Sequence, residues 1–183
     1  PPEGLLKMDA PATDYYRAVD IASDFLNKKQ YEASIPEWRE ALELGPKEAL
    51  AHNNLGVALA ETGKVEEAIT HYKKALEFSP RYADAHNNFG EALAGRGRLD
   101  EAIVHFEKAL QLDPDHGVAH SNLGAALVQK GRVDQAIPHL LKALEYKPDA
   151  ADTHKMLGLA LAAKGRYEEA ARHLEQAVEL SGG

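Results

Sequence analysis

Histidines are the residues of this sequence that could most readily perform metal or acid–base chemistry. Eight of the nine fall into two series in which each member follows the last by 34 residues. The first series is His52, His86, His120 and His154, and the second is His71, His105, His139 and His173. Imidazole is a common zinc ligand, but consecutive members lie one whole period apart, and the chain has no cysteine to complete a ligand set. We therefore predict structural or surface histidines and no metal site.

Other signatures of catalysis are weak or absent. The stretch GRGRLD, which begins at Gly95, resembles a phosphate-binding loop, but it has only two glycines and follows no predicted strand. Acidic pairs such as Glu66 and Glu67 are adjacent in sequence, so on a helix they point to different sides. No G-x-S-x-G nucleophile motif occurs. The sequence therefore predicts neither an enzyme nor a bound cofactor.

An asparagine recurs with the same 34-residue step at Asn54, Asn88 and Asn122, which we call the asparagine column. A side-chain amide both donates and accepts hydrogen bonds, so such a column can pair with the backbone of an extended polypeptide. Its polar neighbours are Asn53, Asn87 and Glu91. We predict that these six residues bind a peptide of neutral or basic character, because their surroundings are polar and mildly acidic. The alternative is that the column only fixes neighbouring helices.

The elements that must position these residues follow from the repetition itself. The phrase AHNNLGVALAETGKVEEA at Ala51 returns, with substitutions, from Ala85, Ala119 and Thr153. Within one copy the apolar residues follow helical spacing twice, once on each side of Gly63. Glycine suits the left-handed residue that ends a first helix. Each copy is therefore predicted to form two amphipathic helices joined by a tight turn.

Small residues and prolines refine this prediction. Gly56 and Ala68 mark the point where the paired helices should approach most closely. Proline disfavours helix in the residue before it, and the second helices should end before Pro80, Pro114 and Pro148. Pro36 and Pro138 fall near the start of a second helix, where few backbone bonds exist to lose. We expect the helix to continue through both of them.

These positions together match a known family. A leucine, a glycine, an alanine, an aromatic residue, a second alanine and a proline recur in order, and one copy shows them as Leu55, Gly56, Ala68, Tyr72, Ala75 and Pro80. In this order and at this period the chain resembles the tetratricopeptide repeats. The resemblance implies an all-α fold, a right-handed α-solenoid of helix-turn-helix repeats. It also implies a concave surface, lined by the first helix of each repeat, that holds a peptide or a partner protein.

The same step divides the chain into five repeats. We predict a tail or linker at residues 1–14 and a single domain of repeats at 15–48, 49–82, 83–116, 117–150 and 151–183. The first repeat departs most from the pattern, since Ala22 replaces the first glycine, Lys29 the turn glycine and Ser34 the first alanine. Terminal repeats are commonly atypical, because one side of them faces water.

The two ends suggest self-association. No polar helix follows Leu180, so Leu161, Leu174 and Val178 are expected to be partly exposed at an open end. In the predicted tail, the apolar residues Leu5, Leu6 and Met8 could occupy the groove of a neighbouring molecule. The alternative for the tail is a linker without this role.

Composition limits the partners. The formal net charge of -8 and the scattered basic residues argue against a nucleic-acid partner, which requires a concentrated Lys/Arg surface. No apolar run reaches the roughly 18 residues of a membrane span. Zero cysteines exclude disulfides but do not select a compartment. The location stays open, with the cytoplasm favoured.

The asparagine column adds a functional resemblance. It is similar to the column in the repeat arm of O-linked N-acetylglucosamine transferases, where asparagines grip the backbone of an extended polypeptide. We therefore expect a protein-interaction scaffold. The alternative is a substrate-recruiting or regulatory segment of a larger enzyme such as a glycosyltransferase, because the chain does not begin with methionine and is expected to be a fragment of a longer protein.

One binding mode of the family is not expected here. Repeat adaptors that hold the acidic C-terminal tails of chaperones use a clamp of lysine, asparagine and arginine. The corresponding positions in this chain are Val19, Ser23, Asn54, Asp84 and Asn88. Since the cations are missing, a terminal carboxylate would lack charge partners. We predict no preference for a free acidic C-terminus.

Overall fold

The computed structural model describes the backbone of residues 10–182 and the side chains of residues 13–182. Regular structure in this range is entirely helical and comprises ten helices. They are α1 (Ala10–Asn27), α2 (Tyr31–Leu44), α3 (Ala49–Glu61), α4 (Val65–Phe78), α5 (Ala83–Gly95), α6 (Leu99–Leu112), α7 (Gly117–Gln129), α8 (Val133–Tyr146), α9 (Ala151–Ala163) and α10 (Tyr167–Ser181). The predicted all-α class is confirmed.

The chain forms two compact units. The first ends at Arg81 and contains α1 to α4, and the second begins at Tyr82 and contains α5 to α10. Each of the five predicted repeat ranges contains one pair of helices. Helix α1 begins at Ala10, inside the segment predicted as a tail, and the predicted role of Leu5, Leu6 and Met8 lies outside the described residues.

The two helices of each repeat are joined through one residue in the left-handed conformation. In four repeats that residue is the predicted glycine, with φ between 71° and 80°: Gly63, Gly97, Gly131 and Gly165. The following amide then bonds back into the first helix, as in the 2.8 Å bond from Lys64 N to Leu59 O. In the first repeat Lys29 adopts the same conformation, with φ 56°, although a side chain disfavours it.

The close approach predicted within each hairpin is confirmed. A Cβ atom added to Gly56 would lie only 2.6 Å from Cε1 of Tyr72, and one added to Gly124 would lie 2.5 Å from Cγ of Leu140. In the first repeat Ala22 and Trp38 occupy the equivalent positions, and both are fully buried. Among residues 13–182, Nε1 of Trp38 is the buried side-chain nitrogen without a hydrogen-bond partner.

Both internal prolines are accommodated, but not for the predicted reason. Helix α2 continues through Pro36 and helix α8 continues through Pro138. Each proline is the sixth residue of its helix, beyond the first turn, so each helix forgoes one bond to the carbonyl four residues earlier. Burial of the flanking residues Ile35 and Ala136 holds these segments against their neighbours. Tertiary packing therefore offsets the missing bond.

The hairpins of the second unit stack in chain order. Helices α5 and α7 contact each other, as do α7 and α9, whereas each second helix, α6 or α8, packs against the first helix that follows it. The first helices thus form a continuous row, whose accessible side we call the first-helix face. In the first unit the corresponding row is α1 and α3.

One prediction about the C-terminal hairpin, that Leu161 is partly exposed, is wrong. Leu161 is 2% exposed, because α10 packs against α9 and completes the hairpin around it. Leu174 is half-buried, and Val178 is 73% exposed, as expected. The apolar surface at this end is therefore narrower than predicted. Self-association through it stays a prediction.

Candidate functional site

Hydrogen bonds between polar side chains connect the first helices of the second unit. Nδ2 of Asn122, on α7, donates to Oδ1 of Asn87, on α5, at 3.0 Å. Asn87 in turn donates from Nδ2 to Oδ1 of Asn88 at 3.3 Å. The hydroxyls of Ser121, on α7, and Thr153, on α9, lie 2.7 Å apart. Side chains of the predicted site therefore join α5 to α7, and Ser121 and Thr153 join α7 to α9.

Two of the predicted peptide-binding residues do not reach the surface. Asn53 and Asn87 are each only 3% exposed. Asn53 donates to Oδ1 of Asn54 at 3.1 Å, just as Asn87 donates to Asn88. Their burial leaves a ligand little direct access to these two amides, and their role in peptide binding stays a prediction. Their position one residue before the column rotates them by about 100° into the helix interface.

The asparagine column itself is half-buried, and it keeps unused bonding capacity. Asn54, Asn88 and Asn122 have intermediate exposure, and Glu91 is exposed. Within residues 13–182, no group bonds to Nδ2 of Asn54 or to Oδ1 of Asn122. Asn54 therefore has a free donor and Asn122 a free acceptor, the two functions that a peptide backbone requires.

A cleft of about 660 Å³ lies at the start of α7 and α9, beside the end of α8, and we call it the α7–α9 cleft. Asn122 lies on its wall. Val118 and the ring of Tyr146, which are 57% and 45% exposed, supply its apolar surface. Asp149 and Asp152 add two exposed carboxylates. The column thus opens into a partly apolar, partly acidic space.

The electrostatics of the α7–α9 cleft favour a cation. In the described part of the chain, neither Asp149 nor Asp152 takes part in an ion pair. Lys147 is the basic side chain on the lining. Tyr146 donates its hydroxyl proton to Asp115, and this bond raises the pKa of Tyr146. The phenol of Tyr146 therefore stays protonated at neutral pH.

Two residues that differ from their equivalents in other repeats, Gly117 and Tyr146, shape this cleft. The periodic pattern did not indicate them. Gly117 stands where the equivalent positions hold Ala49, Ala83 and Ala151. A Cβ atom at Gly117 would lie 2.8 Å from Cβ of Tyr146, so the glycine lets the tyrosine pack over the start of α7. The sequence feature that could have indicated the cleft is the glycine at position 117, where three other repeats have alanine.

The ninth histidine, His116, organises the rim of the cleft. Its Nδ1 accepts a 3.2 Å bond from the amide of Ala119 and so caps α7, and its Nε2 lies 3.1 Å from Oδ1 of Asp84. His116 precedes His120 by four residues, a spacing that metal sites use on helices. Here the two rings serve different partners, since Nε2 of His120 donates to the carbonyl of Pro114 at 3.0 Å.

The two histidine series meet in pairs. In each of four repeats, Nδ1 of the first-helix histidine lies 2.9 Å from Nδ1 of the second-helix histidine, 19 residues later. The pairs are His52 with His71, His86 with His105, His120 with His139, and His154 with His173. No group of three potential ligands assembles among the described side chains. The sequence comparison related histidines only within each series, at a separation of 34 residues. It therefore did not predict these contacts between the two series.

Stacked helix hairpins with a polar first-helix face define a helical-repeat interaction protein. The sequence matches family models described as Tetratricopeptide repeat at residues 47–115, 93–158 and 151–183, and one described as TPR repeat at 22–63. Together these matches run from residue 22 to residue 183. The chain belongs to the tetratricopeptide repeat family, and it is a protein-interaction scaffold.

Solved structures support the same fold. PilF of Pseudomonas aeruginosa is 24% identical, with a TM-score of 0.80 over 93% of this chain and 78% of that one. MamA of Desulfovibrio magneticus RS-1 is 22% identical, with a TM-score of 0.77 over 92% and 95%. YrrB, described as a TPR protein with an unusual peptide-binding site, is 21% identical, with a TM-score of 0.72 over 94% and 92%. Comparison with curated proteins finds no match.

Two broader properties follow from the family and the helices. Repeat domains of this kind are typically non-catalytic. Within the described residues, no helix combines the length and the apolar character needed to cross a membrane.

Proposed function

We propose that this scaffold holds an extended polypeptide on the first-helix face of its second unit, with the α7–α9 cleft as the principal contact. The observation that carries the proposal is the unused acceptor of Asn122 on the wall of a 660 Å³ cleft. An extended peptide presents free backbone amides at regular intervals, and one of them can donate to this oxygen. The proposal applies equally to a separate scaffold and to an arm of a larger enzyme.

The ligand carries a lysine or arginine side chain at the cleft. The aliphatic part of such a side chain can lie on Val118 and on the ring of Tyr146, which are both exposed. Its charged end then meets Asp149 and Asp152, which have no ion-pair partner within the described part of the chain. Lys147 disfavours a fully basic segment, so one cation flanked by neutral residues fits best.

Three labelled peptides test the proposal. Each has about nine residues, with proline near both ends to keep it extended, and they differ only at a central lysine, glutamine or glutamate. Fluorescence anisotropy at low and high salt should show that the lysine peptide binds most tightly and loses most affinity in salt. Equal binding of all three peptides would refute the charge preference.

Paired variants locate the contact. Asn122→Ala should lower the affinity for the lysine peptide by about two- to tenfold, which is the usual contribution of one hydrogen bond. Gln129→Ala, at the end of the same helix, should leave the affinity unchanged. Replacing Asp149 and Asp152 together by asparagine should weaken it by about two- to thirtyfold. Glu175→Gln with Glu179→Gln removes the same charge from α10 and serves as the control. If each cleft variant binds the lysine peptide as tightly as its control variant, the cleft is not the binding site.

A further inference from the structure

The histidine pairs have a fixed arrangement of protons. In three pairs Nε2 of the first-helix histidine lies 2.8 to 3.1 Å from a proline carbonyl in the preceding loop, and these carbonyls belong to Pro46, Pro114 and Pro148. A carbonyl can only accept, so Nε2 carries the proton and Nδ1 of the neutral ring is unprotonated. The second-helix histidine must therefore donate its Nδ1–H. Each such pair joins a loop, a first helix and a second helix.

This arrangement limits how many protons a pair can hold. A first added proton can enter at Nε2 of the second-helix ring, for example His71, and leave the Nδ1–H···Nδ1 bond intact. A second proton would have to go to Nδ1 of the first-helix ring, for example His52. Two N–H groups would then face each other across 2.9 Å, which is incompatible with a hydrogen bond and places two positive charges in contact.

We propose that the four histidine pairs make the repeat array sensitive to mild acid, because each folded pair holds at most one proton whereas both of its histidines take up a proton on unfolding. The array is then most stable at neutral pH. It loosens as the pH falls through the range in which free histidines titrate. The sensitivity is distributed over the repeats, since the same pair occurs four times.

Burial of the rings supports this direction. Removal from water, and next the partner histidine, lower the pKa of His71 and His105 to about 4 and lower the pKa of His139 and His173. A lowered pKa means that the folded state binds fewer protons than the unfolded state. The stabilisation is therefore complete above a pH of about 6.5, the ordinary histidine value, and is lost as the pH falls toward 4.

Other charged groups near the pairs differ between repeats, so they cannot produce a common effect. The pair His52 with His71 faces Arg39 on α2 and Glu67, Lys74 and Glu77 on α4. Glu101 faces His105, and Glu107 on α6 faces His139. Arg172 and Glu169 face His173. Groups of both charge signs are therefore present near the pairs. The feature that all four pairs share is the second titratable histidine.

The test is the number of protons taken up on unfolding. Urea unfolding of the full chain, measured by circular dichroism between about pH 5.2 and 6.5, gives this number from the pH dependence of the unfolding constant. Eight paired histidines, of which four at most are protonated in the fold, require an uptake of about four protons or more near the lower limit. Near that limit the unfolding constant should then rise roughly 10⁴-fold for each unit by which the pH falls.

A matched variant isolates the pairs. Replacing His71, His105, His139 and His173 by asparagine leaves an amide that can donate to, or accept from, the remaining ring, so that each first-helix histidine can be protonated in the fold. The uptake should fall by about four protons. His116→Asn, which removes a histidine outside the pairs, can change it by no more than one. An unchanged uptake in the fourfold variant would overturn the proposal.

A second measurement does not depend on folding of the fourfold variant. Nitrogen-15 spectra of the histidine rings in the native protein report the protonation of each ring nitrogen. At about pH 5.2, where free histidines are almost fully protonated, each pair should show at most one imidazolium ring. Two imidazolium rings in any pair of the folded protein would refute the limit of one proton.

Discussion

Replacement of Gly90 by alanine tests whether the hairpins are held by close contact or by helix propensity. Gly90 lies in α5, and a Cβ atom there would be 2.6 Å from Cε1 of Phe106 and 3.1 Å from the carbonyl oxygen of Ala102. Phe106 is 1% exposed, so its ring has no free space to enter. Overpacking of this kind costs about 1 to 3 kcal/mol, whereas alanine gains up to about 1 kcal/mol over glycine within a helix. We expect a net loss of about 1 to 2 kcal/mol.

The same helix provides a control of opposite sign. Gly95 ends α5, and a Cβ atom there would have no heavy atom within 4 Å. Gly95→Ala should therefore leave stability unchanged or raise it by up to about 1 kcal/mol. Gly97 is equally open, but its φ of 74° disfavours a side chain, so Gly97→Ala should cost about 1 kcal/mol without any clash.

Urea unfolding followed by circular dichroism measures all three variants under one condition. The explanation by close contact also predicts that Phe106→Leu will not rescue Gly90→Ala. In the next repeat a leucine already occupies that place, and a Cβ atom at Gly124 would still lie 2.5 Å from Cγ of Leu140. If Gly90→Ala is as stable as the parent, the close contact with Phe106 is not what requires glycine. Rescue by leucine would instead show that the geometry at Gly124 and Leu140 does not carry over to this repeat.

Three further predictions concern the first repeat and the ligand. Lys29→Gly should raise stability by about 0.5 to 1 kcal/mol in urea unfolding, since Lys29 has a φ of 56°, whereas Lys28→Gly at the adjacent position should not. Trp38→Phe should change stability by less than about 1 kcal/mol, because the lost packing is offset by removal of a buried N–H without a partner, while Trp38→Ala should cost about 3 to 5 kcal/mol. A peptide with an acidic C-terminus should bind equally with a free or an amidated carboxyl group in calorimetry, and a strong loss on amidation would show that a carboxylate clamp exists after all.

Features that recur with the period could be predicted from the sequence. The turn glycines, the ends of the helices and the close approach at Gly56 depend on local geometry that every repeat shares, so several copies support each inference. Helical spacing of apolar residues gave the number of helices for the same reason. The start of α1, at Ala10, differed from the predicted boundary at residue 15.

Features that depend on one copy, or on contacts between helices, could not be predicted in this way. The α7–α9 cleft arises from Gly117 and Tyr146, and a consensus over the repeats removes that difference. The histidine pairs join residues of two helices at a separation of 19, which follows from how the hairpin closes and not from the period. Burial of Asn87 likewise depends on where the neighbouring first helix lies.

The two interpretations of the asparagine column are compatible, and Asn122 shows how. Its Nδ2 joins α7 to α5 through Asn87, so this amide does fix neighbouring helices. The same bond holds the side chain in one orientation, and within the described residues it leaves Oδ1 of Asn122 without a donor. A ligand that donates to Oδ1 then meets an acceptor whose rotamer is already fixed, so less side-chain entropy is lost on binding. Asn87, although buried, thereby acts as a positioning residue for the proposed contact. Asn87→Ala should accordingly weaken the lysine peptide while leaving the helical content unchanged, and unaltered binding would show that Asn122 needs no such support.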